Sequence, residues 1–200
     1  TGRKIALVVV DGLSLGQWAV LRDYLNDHCQ GLVFDESALF AWVPTITSVS
    51  RQAIFAGEPP RSFAPSIGTT AREDTLWRQS WGGSVPASEI AYAKGLGDEQ
   101  SVRLLDDTVL LPKTRVAGLV VDTVDKILHG AELGAAGVCE QVQLWCEQES
   151  PGRLLELLLD RDFDVFLTSD HGNVEAVGFG RPEKEGVMAE VRGERARIYP

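Results

Sequence analysis

The stretch Ile5-Ala6-Leu7-Val8-Val9-Val10, closed by Asp11-Gly12, decides the fold class. All six residues are apolar and four are β-branched, so the strand has no polar face. Such a strand belongs in the middle of a parallel sheet covered by helices on both sides. The residues that follow agree. Ser14 stands three residues before Gln17, a capping-box pattern, ahead of Trp18, Leu21, Tyr24 and Leu25 at helical spacing. Gly31 falls where a helix end takes a left-handed residue, and His28 reads as a helix-end residue.

Further along, Ala38-Leu39-Phe40-Ala41-Trp42-Val43 reads as a second strand stopped by Pro44. Residues 47–55 have helical spacing, ended by Gly57 and Pro59-Pro60. Residues 58–88 are rich in Pro, Gly and Ser, with a helical stretch near 73–79. A short strand is expected at 90–93 and a stronger one at 115–121, ending at Asp122. Helices are expected at 135–147 and 151–160, the second with Ser150 as N-cap and Pro151 first in the helix. Phe163-Asp164-Val165-Phe166-Leu167-Thr168 is a further strand, ending at Ser169-Asp170-His171-Gly172. The expected fold is α/β, a mostly parallel central sheet flanked by helices. We read residues 1–200 as one domain with 58–115 as an excursion on the core. The tail at 190–199 alternates like a strand and reads as a boundary inside a longer protein.

A hydrophobic fraction of 44% and a charged fraction of 24% over 200 residues exclude a disordered, collagenous or disulfide-stapled chain. The net charge of −10, with no Lys/Arg-rich run, argues against strong autonomous binding of duplex DNA. Carboxylates in a cleft remain suited to divalent metal. Three cysteines without a C-x-x-C pair point to a reducing cytoplasm. No apolar run is long enough to span a membrane.

Ligands in open α/β sheets bind beyond the carboxyl ends of the strands. Asp11, Thr47, Asp122/Asp125 and Asp170-His171 all fall at such ends, from segments far apart in sequence. Each has an ordinary reading as well. Asp11-Gly12 is also a common turn dipeptide, and Thr47 at the start of its helix is also a capping residue. Asp125 and His129, four apart on one helix face, suit two ligands of one metal or an exposed side-chain pair. Asp35-Glu36 and Asp106-Asp107 read as solvated loop acids. Trp77 and Trp81 are placed either to stack a base or to pack.

In order and type, Asp11-Gly12, Pro44-Thr45-Ile46-Thr47, Asp125-x-x-x-His129 and Thr168-Ser169-Asp170-His171-Gly172-Asn173 resemble the alkaline phosphatase superfamily. Within it, the stretches containing these motifs, from about residue 4 to about residue 190, look like the PglZ domain of bacterial anti-phage systems, phage growth limitation and bacteriophage exclusion (BREX). The resemblance implies an alkaline-phosphatase-like core and two divalent metal ions, Zn²⁺ or Mn²⁺. It assigns Asp11, Asp170 and His171 to one metal and Asp125 and His129 to the other. Thr47 touches the first metal and is the implied nucleophile, with Ser48 and Thr45 as the alternative nucleophiles. The implied cycle forms a phospho-threonine and hydrolyses it. Superfamily members supply a further His to the second metal, yet no His follows His171 in this sequence. Either that ligand lies beyond Pro200, or another residue such as Glu175 substitutes, or the second site is weak.

The expected function is therefore a cytoplasmic, metal-dependent phosphohydrolase or phosphodiesterase acting through Thr47. Its substrate is a phosphate ester, with nucleotides and nucleic acids among the candidates, and its partners are other defence-system proteins. The rival reading is a non-catalytic metal-binding module that docks in such an assembly. A receiver domain of a two-component system fails, because no Lys follows a late strand where such a site needs one.

Overall fold

The computed structural model describes residues 2–130, 134–148, 150–174, 187–188 and 197–198. In chain order the elements are β1 (Lys4–Val10), α1 (Leu15–His28), α2 (Thr47–Ala56), α3 (Glu73–Trp81), β2 (Ile90–Leu96) and α4 (Glu99–Thr108). They continue with β3 (Val116–Val121), α5 (Thr123–Gly130), α6 (Gly134–Glu147), α7 (Ser150–Asp160) and β4 (Phe163–Ser169). A short antiparallel pair, β5 (Val187–Met188) with β6 (Arg197–Ile198), stands apart from the main sheet.

Strands β1 to β4 form one all-parallel sheet in the order β2-β3-β1-β4. The apolar run of β1 lies between two neighbours, as its lack of a polar face requires. Its residues alternate between two cores. Ala6, Val8 and Val10 bury with Leu21, Leu25, Leu105, Val142 and Leu158 from α1, α4, α6 and α7. Val9 buries with Phe55 of α2 and Trp77 of α3 on the opposite face. The Ser14 capping box forms: the Ser14 amide donates to Gln17 Oε1 at 2.9 Å, and the Gln17 amide to Ser14 Oγ at 3.5 Å.

Three expectations change. Residues 38–43 are not a strand; Leu39 is 85% exposed and Phe40 fully so. Upstream, Phe34 packs edge-on against Trp18, and Trp18 Nε1 donates to Glu36 Oε1 at 2.6 Å, pinning the segment on α1. Its strand propensity finds no sheet partner among the described residues, and propensity without a partner forms no strand. Asp106-Asp107 lie on α4 rather than in a loop, and Asp106 pairs with Arg161. Thr47 is the first helical residue of α2, after Ile46 at the N-cap. Its hydroxyl is therefore not used in capping.

Residues 58–115 contain α3, β2 and α4, so part of this stretch lies in the sheet itself. Trp77 is buried, stands edge-on to Phe55 and donates Nε1 to the Ala91 carbonyl at 3.0 Å. It packs, and Trp81 packs against it. The alternating tail lies outside the described residues except for the two in β6. No helix of the described residues is long and apolar enough to cross a membrane.

Gly118 on β3 allows the close approach of α3: a Cβ there would stand 2.9 Å from the Trp77 indole and 3.0 Å from the Phe55 ring. Both rings are buried. We expect Gly118→Ala to destabilise the fold by about 1–3 kcal/mol, read as a lower midpoint in urea with an unchanged m-value.

Candidate metal centre

The register of the sheet builds the site. Val10 lies level with Val121 of β3 and Ser169 of β4, so Asp11 and Asp170 emerge side by side from adjacent strands. Asp11 extends the alternation of β1 by one residue, which turns its side chain toward the α2 and α3 face shared by Val9. Gly12, at φ 72°, swings its amide back to donate to Asp170 Oδ1 at 3.1 Å. Here glycine is needed: the backbone is left-handed, and a Cβ would stand 3.2 Å from the Leu128 side chain.

Asp11, Asp170 and His171 place one ligand atom each within 4.8 Å of one another. The His171 amide also donates to Asp170 Oδ1, at 3.0 Å. Asp170 Oδ2, by contrast, is buried and accepts no hydrogen bond. His171 Nδ1 lies 3.0 Å from the Gly172 carbonyl, which can only accept. Nδ1 is thus the donor, and in the neutral ring Nε2 presents a lone pair to the cluster. An orphaned carboxylate oxygen, a second carboxylate and an oriented imidazole nitrogen form a donor set suited to Zn²⁺ or Mn²⁺. The residues present fit a divalent ion.

Thr47 Oγ1 lies 2.9 Å from His171 Nε2 and 3.4 Å from Asp11 Oδ1. Among Thr45, Thr47 and Ser48 it is the hydroxyl in contact with the cluster; Thr45 is exposed, and Ser48 Oγ is buried without a hydrogen bond. Asp125 and His129 share one face of α5, with His129 Nε2 3.4 Å from Asp125 Oδ1. Asp125 approaches Gly12 from the side His171 also flanks, yet neither Asp125 nor His129 joins the group of three. Glu175 lies outside the described residues.

Sequence reasoning missed the groups around this cluster. Arg51, one turn beyond Thr47 on α2, donates Nη1 to Asp11 Oδ2 at 2.5 Å and Nε to Glu73 Oε1 at 2.7 Å. Tyr92 of β2 donates its hydroxyl to Glu73 Oε2 at 2.7 Å. Burial works to lower the Arg51 pKa, but the Glu73 and Asp11 charges outweigh it and hold the guanidinium cationic. Burial, then the Glu73 charge, pushes Tyr92 up, so its hydroxyl stays a donor. On the other side, Asn173 Nδ2 donates to the Gly12 carbonyl at 2.6 Å and to Gln17 Oε1 at 2.9 Å, tying the Asp-His-Gly loop to the start of α1. The four-residue spacing of Thr47 and Arg51 was the available signal; nothing local marks Glu73 or Tyr92.

Burial first, and the Asp11 charge second, push Asp170 from 3.8 up to about 7, against the opposing pull of His171, the Gly12 amide and Arg51. A folded value above the unfolded one stabilises while the group is protonated, and that contribution is lost as pH rises through about 7. We expect the Tm of metal-free protein to carry such a loss between about pH 4 and about pH 7, with a shallower slope in Asp170→Asn. Metal uptake near neutral pH should release protons, measurable by calorimetry in buffers of different ionisation enthalpy.

No match was found among curated proteins. A family model described as the BREX system PglZ alkaline phosphatase-like domain matches residues 1–199, nearly the whole chain. With an all-parallel α/β sheet and an Asp/Asp/His cluster at its carboxyl edge, the chain belongs to the PglZ family of alkaline phosphatase-like domains.

Proposed function

We propose that this domain is a divalent-metal-dependent phosphohydrolase of a phage-defence system, attacking phosphate esters through Thr47 Oγ1. The observation that carries the reading is the contact of this hydroxyl, free of any capping role, with both Asp11 and His171. Asp11, Asp170 and His171 would hold the first ion. Asp125 and His129 offer a second, weaker site with two ligands. The ions would supply charge neutralisation of the phosphoryl group and a lowered pKa for the hydroxyl beside them.

The protein groups do the rest. Thr47 begins α2, and the unbonded amides at a helix start favour phosphoryl oxygens. Attack forms the Oγ1–P bond and breaks the bond to the leaving alcohol, which departs with a proton. Water then releases phosphate, or a phosphate monoester from a diester, and restores the Thr47 hydroxyl. The Gly172 carbonyl keeps His171 in one tautomer, and Gly12 and the His171 amide hold Asp170 Oδ1 so that Oδ2 faces the cluster. Phosphate esters are the substrate class, nucleotides and nucleic acids included.

A docking role within a defence assembly is the second reading. The exposed run Leu39, Phe40, Trp42 and Val43, just ahead of the Thr47 helix, favours it.

The test is turnover of p-nitrophenyl phosphate and bis-p-nitrophenyl phosphate with added Zn²⁺ or Mn²⁺, beside a metal assay. We expect metal-dependent turnover that Thr47→Ala lowers by on the order of 10³-fold or more while metal content is retained. Metal-independent turnover, or turnover surviving in Thr47→Ala, would contradict the mechanism. Bound metal without turnover of any ester would favour docking.

A further inference from the structure

Asp11 divides its two oxygens between two tasks. Oδ2 receives the Arg51 guanidinium, while Oδ1 faces Thr47 Oγ1 at 3.4 Å and His171 Nε2 at 3.7 Å. Arg51 is itself held on a second edge by Glu73, and Glu73 on its other oxygen by Tyr92. The chain of contacts runs from the end of β1 through α2 and α3 to β2. Asp11, Arg51 and Glu73 are all buried, Glu73 completely.

Stability alone does not account for Glu73. A buried ion pair is frequently no better than apolar side chains of the same volume, because desolvation offsets the attraction. Geometry does account for it. A guanidinium gripped at Nε by one carboxylate cannot rotate, so its Nη1 presents a fixed donor to Asp11 Oδ2. Charge agrees as well. The three carboxylates Asp11, Glu73 and Asp170, once ionised, exceed the single guanidinium by two negative charges, the charge of one divalent ion.

We propose that Arg51 is a positioning residue of the metal centre, itself locked by Glu73 and Tyr92, which turns Asp11 Oδ1 toward the ion. This rests on the metal centre assigned above. It gives residues 73–92 a structural part in that centre, behind the ligand rather than in front of the substrate.

The test uses Arg51→Lys, Glu73→Gln and Tyr92→Phe. Lysine keeps the positive charge but has a single head, so it cannot grip Glu73 and Asp11 in the same fixed geometry. Zn²⁺ affinity is measured by competition with a chromogenic chelator, and the visible spectrum of the Co²⁺-loaded protein reports ligand geometry. Tm is recorded with and without metal. We expect Arg51→Lys and Glu73→Gln to weaken Zn²⁺ binding by about 10–100-fold and alter the Co²⁺ spectrum. Tyr92→Phe, which removes one hydroxyl and keeps the ring, should act in the same direction by less. It also serves where another variant fails to fold. The metal-induced rise in Tm should shrink in step with affinity. A merely structural role would lower the Tm of metal-free protein while leaving affinity and spectrum at wild-type values, and that result would overturn the inference alone. Wild-type protein that takes up no metal would overturn the metal centre and the inference together.

Discussion

Two carboxylates buried against each other at the ends of neighbouring parallel strands are the constraint around which this molecule is arranged. Asp11 and Asp170 have ligand atoms within 4.8 Å of one another, and neither is open to water. Unit charges at that separation repel by about 3 kcal/mol even at an effective dielectric constant of ~20. Burial first, and this repulsion second, push the Asp170 carboxyl up against the pull of His171, the Gly12 amide and Arg51. Arg51 is the counter-charge within the fold, but it is shared with Glu73. The remaining deficit is what suits the site to a divalent cation.

Much of the architecture follows from bringing the two acids together and holding them. Parallel register places β1 and β4 level at their carboxyl ends. Gly12 turns the chain so that its amide and the His171 amide both reach Asp170 Oδ1. Asn173 and Gln17 tie the loop after β4 to the first turn of α1. From the opposite face, α2 delivers Thr47 and Arg51 one turn apart, so one helix supplies both the hydroxyl and the guanidinium. In the function proposed above, phosphate-ester chemistry and this buried charge balance would meet in the same few side chains.

The legible parts of the sequence were those governed by local rules. The two-faced apolarity of β1, the Ser14–Gln17 cap, the helical spacing of Asp125 and His129, and the strand-end position of Asp170-His171 each follow from a few adjacent residues. The parallel sheet could be assembled from them, whereas the grouping of Asp11, Asp170 and His171 came from the family resemblance. Residues 38–43 misled because strand propensity says nothing about whether an edge is available. Thr47 was placed at the cap because caps and first-turn residues differ by one position, which composition does not resolve. Glu73 and Tyr92 were invisible for another reason. Their meaning arises only where α3 and β2 meet the end of β1, and no pattern within the 58–88 stretch encodes that meeting.

The most direct measurement is the crystal structure of the protein loaded with Zn²⁺ or Mn²⁺, with anomalous data collected at the metal's absorption edge. The expected result is a peak coordinated by Asp170 Oδ2, Asp11 Oδ1 and His171 Nε2, adjacent to Thr47 Oγ1, with Arg51 still on Asp11 Oδ2. A peak confined to Asp125 and His129, or Asp11 and Asp170 bearing no metal at saturating concentration, would contradict the account.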